Sequence, residues 1–232
     1  MRGWALAEQG QEGEGIAQIQ QGIRLDTWRA TGTGTTRPQD LAFLAEAYGK
    51  VGQAEDGRTL LAEALAQVHK SGECWLEAEL YRLKGTLTLQ SQTSPGQVSN
   101  KSQTSLKQVQ DKSQTGQGKS EDANVQILNP NAQSEAEASF LKAIDIAQRQ
   151  QAKSLELRAV MSLVRLRQQQ AAQHEHATRS TQHVSHDTHH EARTRLDEAH
   201  TMLSEIYNWF TEGFDTKDLQ EAKALLDELA KS

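Results

Sequence analysis

The stretch that most constrains this chain is Arg37 to Ser71, RPQDLAFLAEAYGKVGQAEDGRTLLAEALAQVHKS. Leu41, Leu44, Ala45 and Tyr48 recur at helical spacing and therefore share one face. Pro38 suits the first turn of a helix, where its missing N–H has no partner to lose. Gly49 and Gly52 supply residues able to take the left-handed backbone that ends a helix. A second apolar stripe, Leu60, Leu61, Ala64, Leu65 and Val68, follows at once. The stretch reads as two antiparallel helices joined by a tight turn. A lone helical hairpin buries too little apolar surface to fold, so it requires neighbours of its own kind.

The rest of the chain supplies them. Gly3 to Gly10 reads as the last turns of a helix, with Trp4 and Ala7 expected to face a preceding element, as in the tail of a larger protein. Glu14 to Arg29 is the next helix, with Ile16, Ile19, Ile23 and Leu25 inward, and Ala30 to Thr36 is a Gly/Thr loop. Cys74 to Leu89 carries Leu76, Leu80, Leu83 and Leu87. Ala132 to Gln151 carries Ala136, Phe140, Ala143, Ile144 and Ala147. Leu155 to Gln170 carries Leu157, Val160, Leu163, Val164 and Leu166. Glu191 to Phe210 and Asp218 to Leu229 close the chain, with Asp215 or Thr216 as the cap of the last helix.

Two polar stretches interrupt this pattern. Ser91 to Asn129 has no aromatic residue and repeats itself every 11 residues, as SQTSPGQVSNK, SQTSLKQVQDK and SQTGQGKSEDA. Ala172 to His190 is rich in histidine. Both read as disordered inserts, because such compositions bury too little apolar surface to offset the entropy of ordering. Spacing supports this division. Gly22 and Ala64 lie 42 residues apart. Ala64 and Ala143 lie 79 apart, or 40 once a 39-residue insert is removed. Ala143 and Ile206 lie 63 apart, or 44 without a 19-residue insert. One period of 40–44 residues underlies the chain. The expected organisation is helical repeats over 1–90 with an incomplete first repeat, an insert over 91–130, a hairpin over 131–171, a His-rich insert over 172–190, and a final hairpin over 191–232.

The residue pattern within the period resembles the tetratricopeptide repeat, although that repeat's period of about 34 is shorter, so the helices or loops here are expected to be longer. Leu44, Ala45, Tyr48 and Gly52 fit its first helix and turn, Gly57, Leu61 and Ala64 its second helix, and Ala136, Phe140 and Ala143 the second helix of a later unit. Over longer blocks the chain resembles the C-terminal helical region of bacterial signalling proteins. In these, such an array follows a class III adenylate/guanylate cyclase or kinase domain, or a LuxR-type output, and a STAND-type ATPase. The blocks are GWALAEQG (3–10), LAEAYGKVGQAEDG (44–57), EAELYRLKGTL (77–87), QQAKSLELRAVMSLVRL (150–166) and IYNWFTEGFDTKDLQEAKALLDEL (206–229). The resemblance implies an all-α tetratricopeptide-like solenoid acting as a sensor or interaction arm, with the cyclase and ATPase residues in other domains.

Composition and charge exclude more than they assign. Hydrophobic residues are 36% and aromatics 5%, suited to an elongated array rather than one compact core. A net charge of −6, with acids and bases interspersed, argues against wholesale nucleic-acid binding. Cys74 is the only cysteine, so no intrachain disulfide forms. No apolar run approaches the roughly 20 residues of a membrane span, and the N-terminus lacks a signal-peptide core, so a cytoplasmic location is expected.

No catalytic set and no cofactor site emerge. GQGKS at 116–120 lacks both the first glycine and the preceding strand of a phosphate-binding loop, and GTGTT at 32–36 also lacks a strand. His174, His176, His183, His186, His189, His190 and His200 crowd one region. On a helix His186 and His190 share a face with His183 a turn away, a spacing able to hold Zn²⁺ or Ni²⁺. Solvated histidines in a polar insert are the competing reading. Trp4, Trp28, Trp75 and Trp209 are expected to pack between hairpins rather than line a ligand groove. Glu46, Glu55, Asp56, Glu63, Glu77 and Glu79 form either an acidic concave face or an ordinary solvated one. The functional expectation is a non-catalytic module that binds a protein or peptide or regulates attached domains. The rival is a metal-responsive segment built on His183, His186 and His190.

Overall fold

A computed structural model describes residues 2–24, 37–93, 129–180 and 186–231. Nine α-helices run through these residues, with no strand among them. They are α1 (Arg2–Glu8), α2 (Glu12–Arg24), α3 (Arg37–Lys50), α4 (Ala54–Ser71), α5 (Glu77–Thr93), α6 (Pro130–Arg149), α7 (Lys153–Ser180), α8 (His186–Trp209) and α9 (Lys217–Leu229). A 3₁₀ turn at Cys74–Leu76 leads into α5.

Local chemistry sets the turns. Gly52 takes φ 78° between α3 and α4, and Gly72 takes φ 75° after α4, donating its N–H to the Val68 carbonyl at 2.9 Å. Asn129 caps α6, its side chain accepting from the Asn131 N–H at 3.0 Å, with Pro130 at the first helical position. Thr216 occupies the cap position of α9, yet its hydroxyl turns back to the Gly213 carbonyl at 2.7 Å instead of binding the helix.

The helices pack as consecutive antiparallel hairpins, α1/α2, α3/α4, α5/α6 and α7/α8, with α9 laid against α7 and α8. Each second helix also packs on the first helix of the next hairpin. The odd-numbered helices touch their successors from α1 through to α9, whereas even-numbered helices make at most marginal contact with one another. The odd helices therefore form one continuous layer and the even helices a second layer outside it.

Within each of the first three hairpins the two helices cross at small residues. A side chain on Gly57 would meet the Ala45 carbonyl oxygen at 2.8 Å, and Gly15 stands in the same relation to Gly3, and Gly85 to Ala136 and Phe140. Gly3, Ala45 and Gly85 are spaced by 42 and 40 residues, so the sequence period is a period of backbone contacts. Larger side chains fill the space between crossings. Leu41, Leu61, Val68, Leu80, Leu83 and Leu87 form one cluster, and Phe140, Leu157, Val160, Leu163, Val164, Leu203, Ile206 and Leu219 a second.

One expectation is corrected. The stretch 172–190 is not a disordered insert throughout: α7 continues to Ser180 and α8 begins at His186. The sequence RQQQAAQHEHATRS is polar but rich in the strong helix formers Gln, Ala, Arg and Glu and free of Gly and Pro, and Gln173 is held by Gln133 across the helix pair at 2.8 Å. Trp4 lies against Phe43 of α3, ring centroids 5.6 Å apart. The helix α5 also runs to Thr93, slightly into the first insert. Leu25, Trp28, the loop 30–36, the rest of that insert to 128, and His183 lie outside the described residues.

Candidate functional site

The continuous layer of odd helices carries a run of charged side chains that crosses from helix to helix. Trp4 of α1 donates its indole N–H to Oε2 of Glu46 on α3 at 3.2 Å. Glu46 is joined to Arg82 of α5 by no ion pair or hydrogen bond, and its charge acts on that guanidinium only at longer range. Arg82 grips Glu79, one turn back on the same helix, through two bonds of 2.9 and 2.7 Å. Glu79 Oε1 also receives Arg158 of α7 at 3.1 Å, and the Arg158 guanidinium lies 3.9 Å from Asp218 of α9. Arg165, two turns further along α7, donates to Glu221 of α9 at 2.7 Å.

Burial disfavours the charged form of Arg82, but the Glu79 hydrogen bond and charge, with Glu46 and Asp218 behind them, outweigh it and hold the guanidinium above its ordinary pKa. Arg82 is thus a fixed cation at the centre of the layer. Arg158 and Arg165 remain partly exposed. The surface has both signs of charge, an indole at one end, and rigid helical support.

A second cluster serves architecture. Glu137 of α6 accepts from Arg167 of α7 at 3.2 Å and from Arg195 of α8 at 2.9 Å. Glu137 and Arg167 are both 8% exposed, so the pair clamps three helices where water does not reach.

The acidic residues singled out in the sequence divide between the layers. Glu46 and Glu79 lie in the odd layer, while Glu55 and Glu63 lie on α4 and pair with Arg58 and Arg37. Glu77 faces His69. Sequence reasoning missed Arg82, Arg158, Arg165, Asp218 and Glu221. Only the i,i+3 spacing of Glu79 and Arg82 signalled a pair.

Of the candidate metal ligands, His183 lies outside the described residues, and for His186 and His190 only the α8 backbone is described. That backbone places them one turn apart. His174 and His200 line a cleft of about 130 Å³ between α7 and α8, with Arg193 and Asp197. Among the described residues no group of three or more His, Cys, Asp or Glu is arranged to hold a metal ion. Trp75 and Trp209 are not packed between hairpins as expected; they are 51% and 59% exposed. No described helix is long and apolar enough to cross a membrane.

With this geometry in hand, comparison with protein-family models, curated proteins and solved structures finds no match.

Proposed function

We propose that the chain is a non-catalytic interaction module of tetratricopeptide type, binding a protein or peptide along the layer of odd helices. The observation that carries this reading is that two linked groups, Trp4–Glu46 and Arg82–Glu79–Arg158–Asp218, together span the five odd helices. A catalytic site concentrates its groups in a cleft, whereas these are spread along the array. An extended partner fits it better than a small substrate. The small-residue crossings recur every 40–42 residues, which supports a helical repeat whose helices or loops are longer than those of the ordinary tetratricopeptide unit of about 34. The likeness to the C-terminal arms of cyclase- and ATPase-bearing signalling proteins supports a regulatory setting in the cytoplasm, with the partner either separate or an attached domain.

Site-specific photocrosslinking tests the reading. A photoreactive residue at position 46 or 165 in the odd layer is compared with one at Ala62 or Ala138, which are exposed on the even helices. Discrete adducts from the odd-layer positions and none from the others are expected. Adducts confined to Ala62 and Ala138, or spread equally over all four, reject it.

A further inference from the structure

Antiparallel packing gives the array two edges. The turns at 9–11 and 51–53 lie on one, where the chain also leaves Thr93 and Ser180 and returns at Asn129 and His186. The turns at 72–73, 150–152 and 210–216 lie on the other. The three most exposed large apolar side chains among the described residues all lie on this second edge: Trp209 at 59%, Trp75 at 51% and Phe214 at 46%. We propose that this edge captures an extended peptide segment bearing lysine or arginine side chains.

The residues form a row. Gln150 donates to the Cys74 carbonyl, tying the turn that holds Trp75 to the α6–α7 turn. Lys153, at the start of α7, sits 6.0 Å from the Trp209 ring centroid. Trp209 meets Phe210 edge-on at 5.2 Å, and Phe214 meets Tyr207 at 5.8 Å. The row thus crosses three successive turns, a track suited to an extended chain. Tryptophan left this exposed loses water favourably on contact, and such aromatics anchor peptide interfaces.

Charge selects the occupant. Glu73, Glu212 and Asp215 flank the aromatics, and none makes an ion pair with a described residue. The edge's cations are mostly engaged: Arg149 with Asp145, Lys153 with Glu156, Lys217 with Glu221, leaving Lys70. Lys153 over Trp209 shows that the indole already accepts an ammonium group on one side. A basic side chain gains both the open indoles and the spare carboxylates. A second copy of this chain would bring like carboxylates together, and an anionic lipid surface would be repelled by them. This surface is distinct from the odd layer, and the two are tested separately.

The test uses a fluorescein-labelled, acetylated hexapeptide of alternating Arg and Leu, with a Glu/Leu peptide beside it, and fluorescence polarisation against the full chain. The expected result is binding of the Arg/Leu peptide only, weakening as salt is raised. Trp75→Ala with Trp209→Ala should weaken it about tenfold or more, as truncating anchoring tryptophans does. Glu73→Gln, Glu212→Gln and Asp215→Asn together should weaken it comparably. Asp56→Asn, Glu191→Gln and Asp227→Asn remove the same charge from the opposite edge and should change it less than about twofold. All these side chains are partly or fully exposed, so circular dichroism should match the wild type. Equal weakening by both charge triples, no effect of the tryptophan changes, equal binding of the two peptides, or tighter binding to phosphatidylserine vesicles than to peptide would each overturn the proposal.

Discussion

Oε1 of Glu79 accepts both from Arg82 on its own helix, at 2.7 Å, and from Arg158 on α7, at 3.1 Å. One carboxylate therefore joins two hairpins. Its side chain is 9% exposed, so little water is available to replace either arginine.

Glu79→Ala should destabilise the chain by about 3 kcal/mol, the lower end of what breaking a buried ion pair costs, because two guanidinium groups lose their shared acceptor. Glu79→Ala combined with Arg82→Met should cost less than the two single changes added together. Urea denaturation of the four proteins measures the coupling. Additive effects would show that Glu79 and Arg82 do not act as a unit.

How far the sequence reveals these features depends on the distance over which they are written. The Leu/Ala stripes are local, and every inward residue expected in 136–147 and 157–166 is buried. The turn glycine Gly52 is equally legible, since its φ of 78° is a property of one position. The chain Glu79, Arg158, Asp218 is not local. It exists only because α5, α7 and α9 become neighbours after intervening helices fold away. The size of Trp75 and Trp209 suggests burial, while their places in the 3₁₀ turn before α5 and at the last residue of α8 turn them outward. The polarity of 172–180 suggests disorder, yet Arg167 and Gln173 brace that helix against α6.

The hairpin crossing gives a sharper test. A Cβ at Gly57 would sit 2.8 Å from both the Ala45 oxygen and a Leu87 methyl. Gly57→Val should destabilise by about 2–3 kcal/mol, as overpacking of a close contact does. Gly52→Val meets no atom within 4 Å, so its cost of about 1–3 kcal/mol would come from φ alone. Gly118→Val, in the low-complexity stretch, should be silent. Thermal melts showing the same loss at 57 and 118 would refute the crossing.

Thr88 offers a gain. Its hydroxyl is buried with no hydrogen-bond partner among the described residues, and the residue is 1% exposed. Thr88→Val keeps the shape and removes the unsatisfied group, which should stabilise by about 1 kcal/mol. A melting temperature at or below that of the wild type would contradict this.

Asp40 sets a pH dependence. Burial raises its pKa above the ordinary value in the folded chain. The charged carboxylate therefore destabilises the fold at pH above the raised pKa, and that penalty is lost as pH falls through it. Asp40→Asn should melt above the wild type at pH 7, and the difference should shrink as pH approaches 4. An advantage that grows on acidification would reverse the assignment.

The last prediction concerns the stretch 94–128. Gly85 of α5 lies against Ala136 and Phe140 of α6, so the two helices are already closed as a hairpin, with Thr93 and Asn129 on the same edge. A short connection suffices to join them. Lengthening a loop adds only about 0.6 kcal/mol of closure entropy per doubling. Replacing 94–128 by a short Gly/Ser loop should therefore leave the melting temperature nearly unchanged or slightly raised, with the circular dichroism of α5 and α6 intact. A fall of many degrees would mean that the stretch contributes packing to the array, and that the hairpin is not closed by its own helices.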